Sequence, residues 1–488
     1  MALTDGSAQT ASTAPRRVCY EPAVSLPSRA NPRHRAAEVL VRVEADRAFA
    51  AAALDAALHR APPLSDADRA LATELTYGVL RTATALDDAL APHCRDGAAS
   101  LTRLDALSRA VLRVAAYQIL GLQRVPPRAA VHEAVEHLKR ARSVGLAGFA
   151  NAVLRKLALT RPDPLPDDAR VTLALQSLPD TARARIADLL GPEAAEAHLR
   201  ATLQPDPPVT LRINPRRTTV EALAARLTDE LPQARAAPAP LCPGAVKVWG
   251  GGDPTRTRAY AEGLYGVQEE GAQLVAHLAR VRPGMRVLDV CAGRGGKSAV
   301  LAAALDGAGV LHATDLFPDK LRRLSAELRR LGLDPGITLA TFPVDLTRGL
   351  GALGPAAPAD GYDAVLVDAP CSGLGTLGHR PDLLARLRDE AAWEALVATQ
   401  RAILAAVAPL VRPGGVLVYA VCTLTRAEGD AVVADLCAQS PGRWSTIDPA
   451  EVTAPAEALG QDGPARVVLR SDLHGTDGFV VHRLRRVG

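Results

Sequence analysis

Aromatic side chains are scarce in this sequence, 3% of 488 residues, although hydrophobic residues reach 48%. The apolar content lies in Ala-rich runs, none of them an uninterrupted stretch near the roughly 18 residues of a membrane helix, so a soluble chain with no membrane partner is expected. The opening segment MALTDGSAQTASTAPRR lacks the apolar core of a secretory signal, and a cytoplasmic location is the expectation. Cysteine occurs at 19, 94, 242, 291, 371, 422 and 437 and never as CxxC. An odd, scattered set argues against a disulfide framework and against a zinc site, leaving free thiols and no metal. Lysine is nearly missing, with 5 residues among 57 basic ones, and one of the five falls in a Gly-rich turn.

What is present is length enough for two or three domains. The net charge of +4 is modest, but residues 1–160 hold 21 Arg and Lys against 15 Asp and Glu. That asymmetry favours a polyanion partner for the N-terminal part, against the plainer reading of a solvated basic face. Residues 1–30 are rich in Ala, Ser, Thr and Pro without periodicity and read as a disordered tail. From 31 to 165 the pattern is helical: Leu104, Leu107, Val111, Val114 and Ile119 recur at three- and four-residue steps, as do Val131, Val135 and Leu138. Prolines cluster over 161–208 around a short helical stretch. In VTLRIN, Val209, Leu211 and Ile213 then alternate with Thr210, Arg212 and Asn214, a strand leading into a helix. Residues 166–270 are grouped as linker helices with a small α+β module. From 271 to 488 short strands alternate with helices: RVLDV (286–290), VLHAT (310–314), TLATF (338–342), DAVLVD (363–368), GVLVYA (415–420) and GFVVHRL (478–484). This rhythm predicts a mostly parallel α/β sheet.

Ligands of such sheets bind outside the carboxyl ends of the strands, where this chain carries its informative residues. CAGRGGKS follows the first strand, and Gly293, Gly295 and Gly296 allow a sharp turn and close approach to a ligand. Asp315 ends the next strand 20 residues after Gly295, a spacing at which a carboxylate can bind ribose hydroxyls. A P-loop would need Gly where Cys291 stands, and a dinucleotide fingerprint would need Gly where Ser298 stands. Asp345 and Asp368 end two further strands, an acidic rim hostile to a pyrophosphate and suited to the cationic sulfonium of S-adenosylmethionine. Any one of these Asp residues alone reads as a helix cap or turn residue; in successive turns of one sheet they read as a site. Cys371 in LVDAPCSGLG and Cys422 in VYAVCTLT both follow buried strands at the same edge. A thiol of ordinary pKa is mostly protonated at neutral pH, and a helix beginning near Thr425 is expected to help Cys422 ionise. A thiolate beside this cofactor can add to carbon 6 of a pyrimidine and make carbon 5 nucleophilic. Spacing alone leaves both cysteines open for that role. Cys19, Cys94, Cys242 and Cys437 read as small buried hydrophobes.

LDVCAGRGGKS, ATDLFPDKL, DAPCSGLGTLGHRPD, YAVCTLTRAEG and HGTDGFVVHRL occur in the order and spacing of the bacterial Sun/Fmu (RsmB-like) branch of RNA 5-methylcytosine methyltransferases, which the chain resembles over roughly residues 33–488. The N-terminal helices resemble the NusB-type RNA-binding domain of that branch, through DADRALATELTYGVLR, LRVAAYQILGLQRVPPRAAVHEAVEHLKR and GFANAVLRKL. The resemblance implies an all-α NusB-like domain, a small α+β module and a C-terminal Rossmann-like methyltransferase domain. It implies S-adenosylmethionine held by Cys291, Ala292, Gly293, Arg294, Gly295, Gly296 and Lys297 with Asp315, Asp345 and Asp368. It makes Cys422 the nucleophile and Cys371 the group that acts at product release. The implied substrate is a flipped or unpaired cytosine in RNA, 16S ribosomal RNA foremost, handled by a monomer; the alternatives are the same chemistry on transfer RNA or another ribosomal site, or a non-catalytic RNA-binding or assembly factor with a vestigial methyltransferase fold. The basic helices and the strand with Arg212 and Asn214 are expected to hold RNA phosphates. Two motifs depart from the family pattern: Arg294 stands where Pro is usual, and the late motif reads Val421-Cys422-Thr423 where TCS is usual, with Glu428 kept and Gly429 where Asn is common.

Overall fold

The computed structural model describes residues 31–46, 48–387, 389–446 and 466–487. The tail expected over 1–30 and Cys19 lie outside them. Seven helices open the described chain: α1 (Pro32–Ala45), α2 (Ala50–Leu58), α3 (Asp66–Leu90), α4 (Ala98–Thr102), α5 (Ala106–Gly121), α6 (Pro127–Ala141) and α7 (Val144–Thr160). Their starts follow from local chemistry. The Ser65, Asp105 and Ser143 side chains accept hydrogen bonds from amides of the first turns of α3, α5 and α7, satisfying donors that the helix cannot. The apolar stripe predicted from the sequence turns inward: Val111, Val114, Ile119, Val131 and Leu138 are buried against Leu75, Leu86, Tyr117 and Leu154. Leu104, Leu107 and Val135 are half-buried at its edge.

The next helices, α8 (Ala169–Ser177), α9 (Asp180–Leu190) and α10 (Pro192–Thr202), send Val171, Leu175, Ile186 and Leu199 into one core with Leu288, Val290, Val365 and Tyr419 of the large sheet. A small antiparallel sheet, order β2-β3-β1-β4, follows from β1 (Val209–Ile213), α11 (Val220–Glu230), β2 (Arg235–Pro238), β3 (Ala245–Trp249), α12 (Arg258–Ala261) and β4 (Tyr265–Val267). It has its own core of Leu211, Leu223, Leu227, Val246, Val248 and Tyr265.

The rest is a doubly wound domain: α13 (Glu270–His277), β5 (Arg286–Val290), α14 (Gly296–Leu305), β6 (Gly309–Asp315), α15 (Pro318–Leu331), β7 (Ile337–Pro343), α16 (Leu353–Ala356), β8 (Tyr362–Asp368), α17 (Glu390–Val407), β9 (Val411–Val421), α18 (Asp430–Gln439), β10 (Trp444–Thr446), β11 (Arg466–Leu469), α19 (Ser471–His474) and β12 (Phe479–Arg486). The sheet order is β10-β12-β9-β8-β5-β6-β7, parallel from β7 through β9 and antiparallel beyond, with β11 also on β12. The chain moves outward from β5 to β6 and β7, then returns to the other side of β5 as β8. The crevice between β5 and β8 is therefore the topological switch point, where open α/β sheets bind ligands. The segment Glu390–Leu410 is long and apolar enough to cross a membrane by hydropathy. Its Trp393, Val397, Ile403, Leu404 and Val407 are instead buried in the core on one face of the sheet.

Arg212 and Asn214 do not face solvent, which corrects the expectation that they hold phosphates. Both are buried, because β1 is covered on its polar side by the doubly wound domain. Arg212 Nη1 donates to Gln268 Oε1 at 2.5 Å and to the Gly296 carbonyl at 3.0 Å. Asn214 Nδ2 donates to the carbonyls of Gly263 at 2.9 Å and Leu331 at 2.6 Å. Alternation reports that one face of a strand is polar, not whether that face is wet. Asn214→Ala leaves these carbonyls short of a partner and should lower stability by about 1–3 kcal/mol. The expected result is a lower urea midpoint, with the salt dependence of RNA binding unchanged.

Candidate functional site

The first wall of the crevice is the turn after β5. Cys291 takes φ 58°, a left-handed conformation uncommon for a side-chain-bearing residue, and the Ala292 amide is tied to the Thr314 carbonyl at 2.8 Å. Gly295 has φ 87°, and a Cβ there would lie 2.7 Å from Leu324, so glycine is required for α14 to start against α15. Asp315 Oδ2 accepts from the Gly293 amide at 3.0 Å and Oδ1 from the Phe317 amide at 2.9 Å. Lys320 Nζ sits 3.3 Å from the same carboxylate. The end of β6 thus braces the turn. Leu316 and Phe317, which the sequence reading did not single out, are 55% and 53% exposed next to Asp315 and give the crevice an apolar lip. Asp345 lies just beyond β7, whose Pro343 pairs with Asp315, and closes its own turn by accepting from Thr347 Oγ1 at 2.6 Å. Arg294 points outward from the turn and is exposed.

The second wall is the end of β8 with the residues after β9. Lys297 Nζ reaches across to Asp368 Oδ2 at 2.7 Å. Burial works against the charge on Lys297, but Asp368 outweighs it and holds the ammonium above its ordinary pKa, with a further contribution from Cys422. Cys371 Sγ and Cys422 Sγ are 3.3 Å apart. The hydrogen bond to Cys422, burial, and the charges of Cys422, Glu428 and Asp368 together raise the Cys371 thiol well above its ordinary value. The raised value favours the protonated form of Cys371 in this contact. Cys291 at the first wall is also held protonated, pushed up to about 12 by burial and by Asp368, Asp315 and Asp289.

The two cysteine loops are clamped together by Glu428, fully buried. Its Oε1 accepts from the Ser372 amide at 2.8 Å and Gln400 Nε2 at 3.1 Å; its Oε2 accepts from Ser372 Oγ at 2.7 Å and Thr425 Oγ1 at 3.2 Å. A buried carboxylate with four donors is satisfied and rigid. This clamp takes the place of the helix expected near Thr425: residues 425–429 form a turn and α18 begins at Asp430. Of the other cysteines, Cys242 is buried and pushed up to about 12, while Cys94 and Cys437 are half-buried, less enclosed than the sequence suggested. Among the described residues no group of three or more His, Cys, Asp or Glu is arranged to hold a metal.

Asp289 of β5 escaped sequence reading because it sits inside a strand. It is buried, its Oδ2 accepts from Ser298 Oγ at 2.5 Å, and its Oδ1 has no partner among the described residues. Burial first, then Asp368 and Asp315, lift its pKa to about 7. The crevice thus offers a glycine turn, carboxylates at three strand ends, an apolar lip and an unpaired buried acid oxygen. That donor set suits a nucleoside with a cationic centre.

Comparison with known proteins agrees. Residues 276–485 match the family described as 16S rRNA methyltransferase RsmB/F, and residues 30–159 match the NusB family. A probable ribosomal RNA small subunit methyltransferase B of Bacillus subtilis is 32% identical over 93% of this chain and 98% of its own length. The ribosomal RNA small subunit methyltransferase B of Thermus thermophilus is 35% identical over 93% and 98%. The chain belongs to the RsmB/F family of 16S rRNA methyltransferases. Its cofactor is therefore S-adenosylmethionine, as the crevice chemistry suggests. Solved structures agree in fold: PH0851 superposes with TM-score 0.77 at 21% identity over 95% of this chain and 99% of that one. NSun6 from Pyrococcus horikoshii with SFG superposes at 0.54 and 19% identity over 64% of this chain and all of that one. Gly293 with Asp315, Lys297 with Asp368, and Cys371 with Cys422 are joined by the contacts above, whereas Asp345 is held in its own turn.

Asp289 offers a pH test. Its folded pKa of about 7 lies above the ordinary 3.8, so between these values the unfolded chain has lost a proton that the folded one keeps. Stability then falls as pH rises through that window, by at most about 1.4 kcal/mol per unit. Urea midpoints of wild type and Asp289→Asn at pH 5, 6 and 7 should diverge in favour of the variant as pH rises.

Proposed function

We propose that this protein methylates carbon 5 of a cytosine in 16S ribosomal RNA, using S-adenosylmethionine and a covalent cysteine–cytosine intermediate. The observation that carries the reading is the thiol pair, 3.3 Å apart beyond the ends of β8 and β9, with the Cys371 thiol raised well above its ordinary value. The glycine turn from Cys291 through Lys297, with Asp315, Asp345 and Asp368, holds the cofactor. Asp315 takes the ribose, Leu316 and Phe317 border the adenine, and the carboxylates favour the sulfonium. When bound, the cofactor supplies an electrophilic methyl group.

Cys422 Sγ adds to carbon 6 of the cytosine, forming an S–C bond and moving electron density to carbon 5, which takes the methyl group. Lys297 and Asp368, paired at the mouth of the thiol site, are the polar groups available to hold the edge of the base. Addition to the base turns the Cys422 sulfur into a thioether, a weaker hydrogen-bond partner for the Cys371 thiol. With that hydrogen bond weakened, the largest cause of the raised Cys371 pKa is removed, and the thiol can give its proton to water and act as thiolate. Cys371 is then the base within reach of the carbon-5 proton. Its removal restores the double bond, breaks the S–C bond and returns Cys422 as thiolate. The likeness to ribosomal RNA small subunit methyltransferases B supports ribosomal RNA as the substrate. The target cytosine must leave its stack to reach a sulfur at the bottom of this crevice.

Incubation with 16S RNA containing 5-fluorocytosine should trap wild type as a covalent adduct on a denaturing gel, while Cys422→Ala yields neither adduct nor methyl transfer. Cys371→Ala should accumulate adduct on unmodified RNA and release product at least about tenfold more slowly. Full turnover by Cys422→Ala overturns the assignment of the two thiols.

A further inference from the structure

The loop leaving Cys371 is anchored at short intervals, each time by a different part of the chain. Glu428 holds Ser372. The Gly375 amide donates to the Cys422 carbonyl at 3.1 Å, and the Gly375 carbonyl accepts from the Gly478 amide at 2.8 Å. His379 Nδ1 meets Asp477 Oδ1 at 3.0 Å. Between these anchors the Gly378 carbonyl accepts from Arg81 Nη2 at 2.7 Å. Arg81 lies on α3, in the region that matches the NusB family, 297 residues away in sequence.

Arg81 is 7% exposed and forms no ion pair among the described residues. Burying a guanidinium is costly, and burial does lower the Arg81 pKa, with Tyr117, Glu74 and Asp206 offsetting the loss. An apolar side chain would fill this position on α3 at lower cost, so the charge is informative only through the carbonyl it binds. That carbonyl belongs to a residue with no freedom on its other side: a Cβ on Gly378 would lie 2.4 Å from the Thr202 carbonyl at the end of α10. The loop is therefore pinched between α10 and Arg81. The seam continues along α3, where Tyr77 lies one turn before Arg81 with its ring 5.9 Å from the guanidinium, and the Ala85 amide, one turn after it, donates to Ser177 Oγ at 3.0 Å. It reaches the surface at Phe49, whose ring lies 5.3 Å from Arg380 and 4.8 Å from Arg386 of the same loop.

We propose that Arg81 is a positioning residue for the Cys371 loop: through the Gly378 carbonyl, the NusB-like domain sets where Cys371 stands relative to Cys422. The domain then has a role in turnover separate from holding RNA. The inference rests on the roles given above to Cys422 and Cys371.

The test uses the full-length chain with Arg81→Met, which keeps bulk and removes the donor, and Arg81→Lys, which keeps a donor. Arg81→Met is expected to bind RNA and S-adenosylmethionine within about twofold of wild type. It should still form the 5-fluorocytosine adduct, turn over about tenfold more slowly on unmodified RNA and accumulate adduct there. Arg81→Lys should recover part of the turnover. Three results overturn the inference: a raised RNA Kd with normal turnover at saturation, which makes Arg81 an RNA contact; parallel loss of melting temperature, cofactor binding and adduct in both variants, which makes it only structural; or wild-type turnover by Arg81→Met. Absence of an adduct in the wild-type protein overturns the thiol assignment itself and this inference with it, and so is told apart from failure in the variants alone.

Discussion

Two thiols 3.3 Å apart cannot both ionise, and the proposed reaction depends on which of them keeps the proton. Their separation is set by groups that never touch a substrate. β8 and β9 are neighbours in the sheet, with Asp368 opposite Ala420, so the loops that leave them emerge side by side. The buried Glu428 then ties Ser372 of one loop to Thr425 of the other through a single carboxylate. Removing either loop from that carboxylate would leave a buried charge short of donors, a penalty of a few kcal/mol that holds the pair in register. A relaxed loop would lengthen the S–S distance, weaken the hydrogen bond that keeps Cys371 protonated, and erase the difference between the two sulfurs.

The same crevice must hold a cation and withstand its own carboxylates. Asp289, Asp315 and Asp368 all act on Cys291, and Asp289 answers by shifting toward its neutral form. Lys297 is the internal counter-charge, fixed on Asp368 in a chain that otherwise relies almost wholly on arginine. A compact ammonium fits the narrow gap between β5 and β8 where a planar guanidinium fork would not be accommodated at one oxygen. Binding a sulfonium adds a further positive charge to this acidic group, so cofactor binding relieves repulsion that folding has stored. Such relief is differential binding energy, available to the occupied site alone.

The α/β fold and the strand-end residues were legible because their signals are local: a short apolar run, a glycine turn, an acid at the end. RVLDV is a strand with the predicted bounds; the strands predicted at 310–314, 338–342, 363–368 and 415–420 extend at one or both ends, and the one predicted at 478–484 runs instead over Phe479–Arg486. The choice between Cys371 and Cys422 was not legible from spacing, because it depends on a hydrogen bond between loops 51 residues apart. Asp289 was missed because strand periodicity marks a position as buried without saying whether a buried acid has a partner. Arg212 and Asn214 misled for the opposite reason. Their polar alternation is real, but the face they mark is covered by Gln268, Gly296 and Leu331, residues that only the tertiary fold brings there. The helix expected at Thr425 failed because Thr425 and Glu428 spend their side chains on the clamp between loops rather than on a helix start.

The two departures from the family pattern have different physical standing. Gly429 is enforced by its surroundings: a Cβ there would lie 2.8 Å from Val480 of β12 and 3.2 Å from the Thr425 carbonyl. A larger residue would push β12 away from the turn that carries Glu428, so the small residue protects the clamp. Arg294 is under no such constraint. The turn is already held by the Ala292 amide on the Thr314 carbonyl, the Gly293 amide on Asp315 and the packing of Gly295 on Leu324, none of which involves the residue 294 side chain. The stiffness a proline would add is therefore replaced by three independent contacts. An exposed arginine at that place leaves the geometry of the cofactor turn as it is and adds a positive charge at its rim.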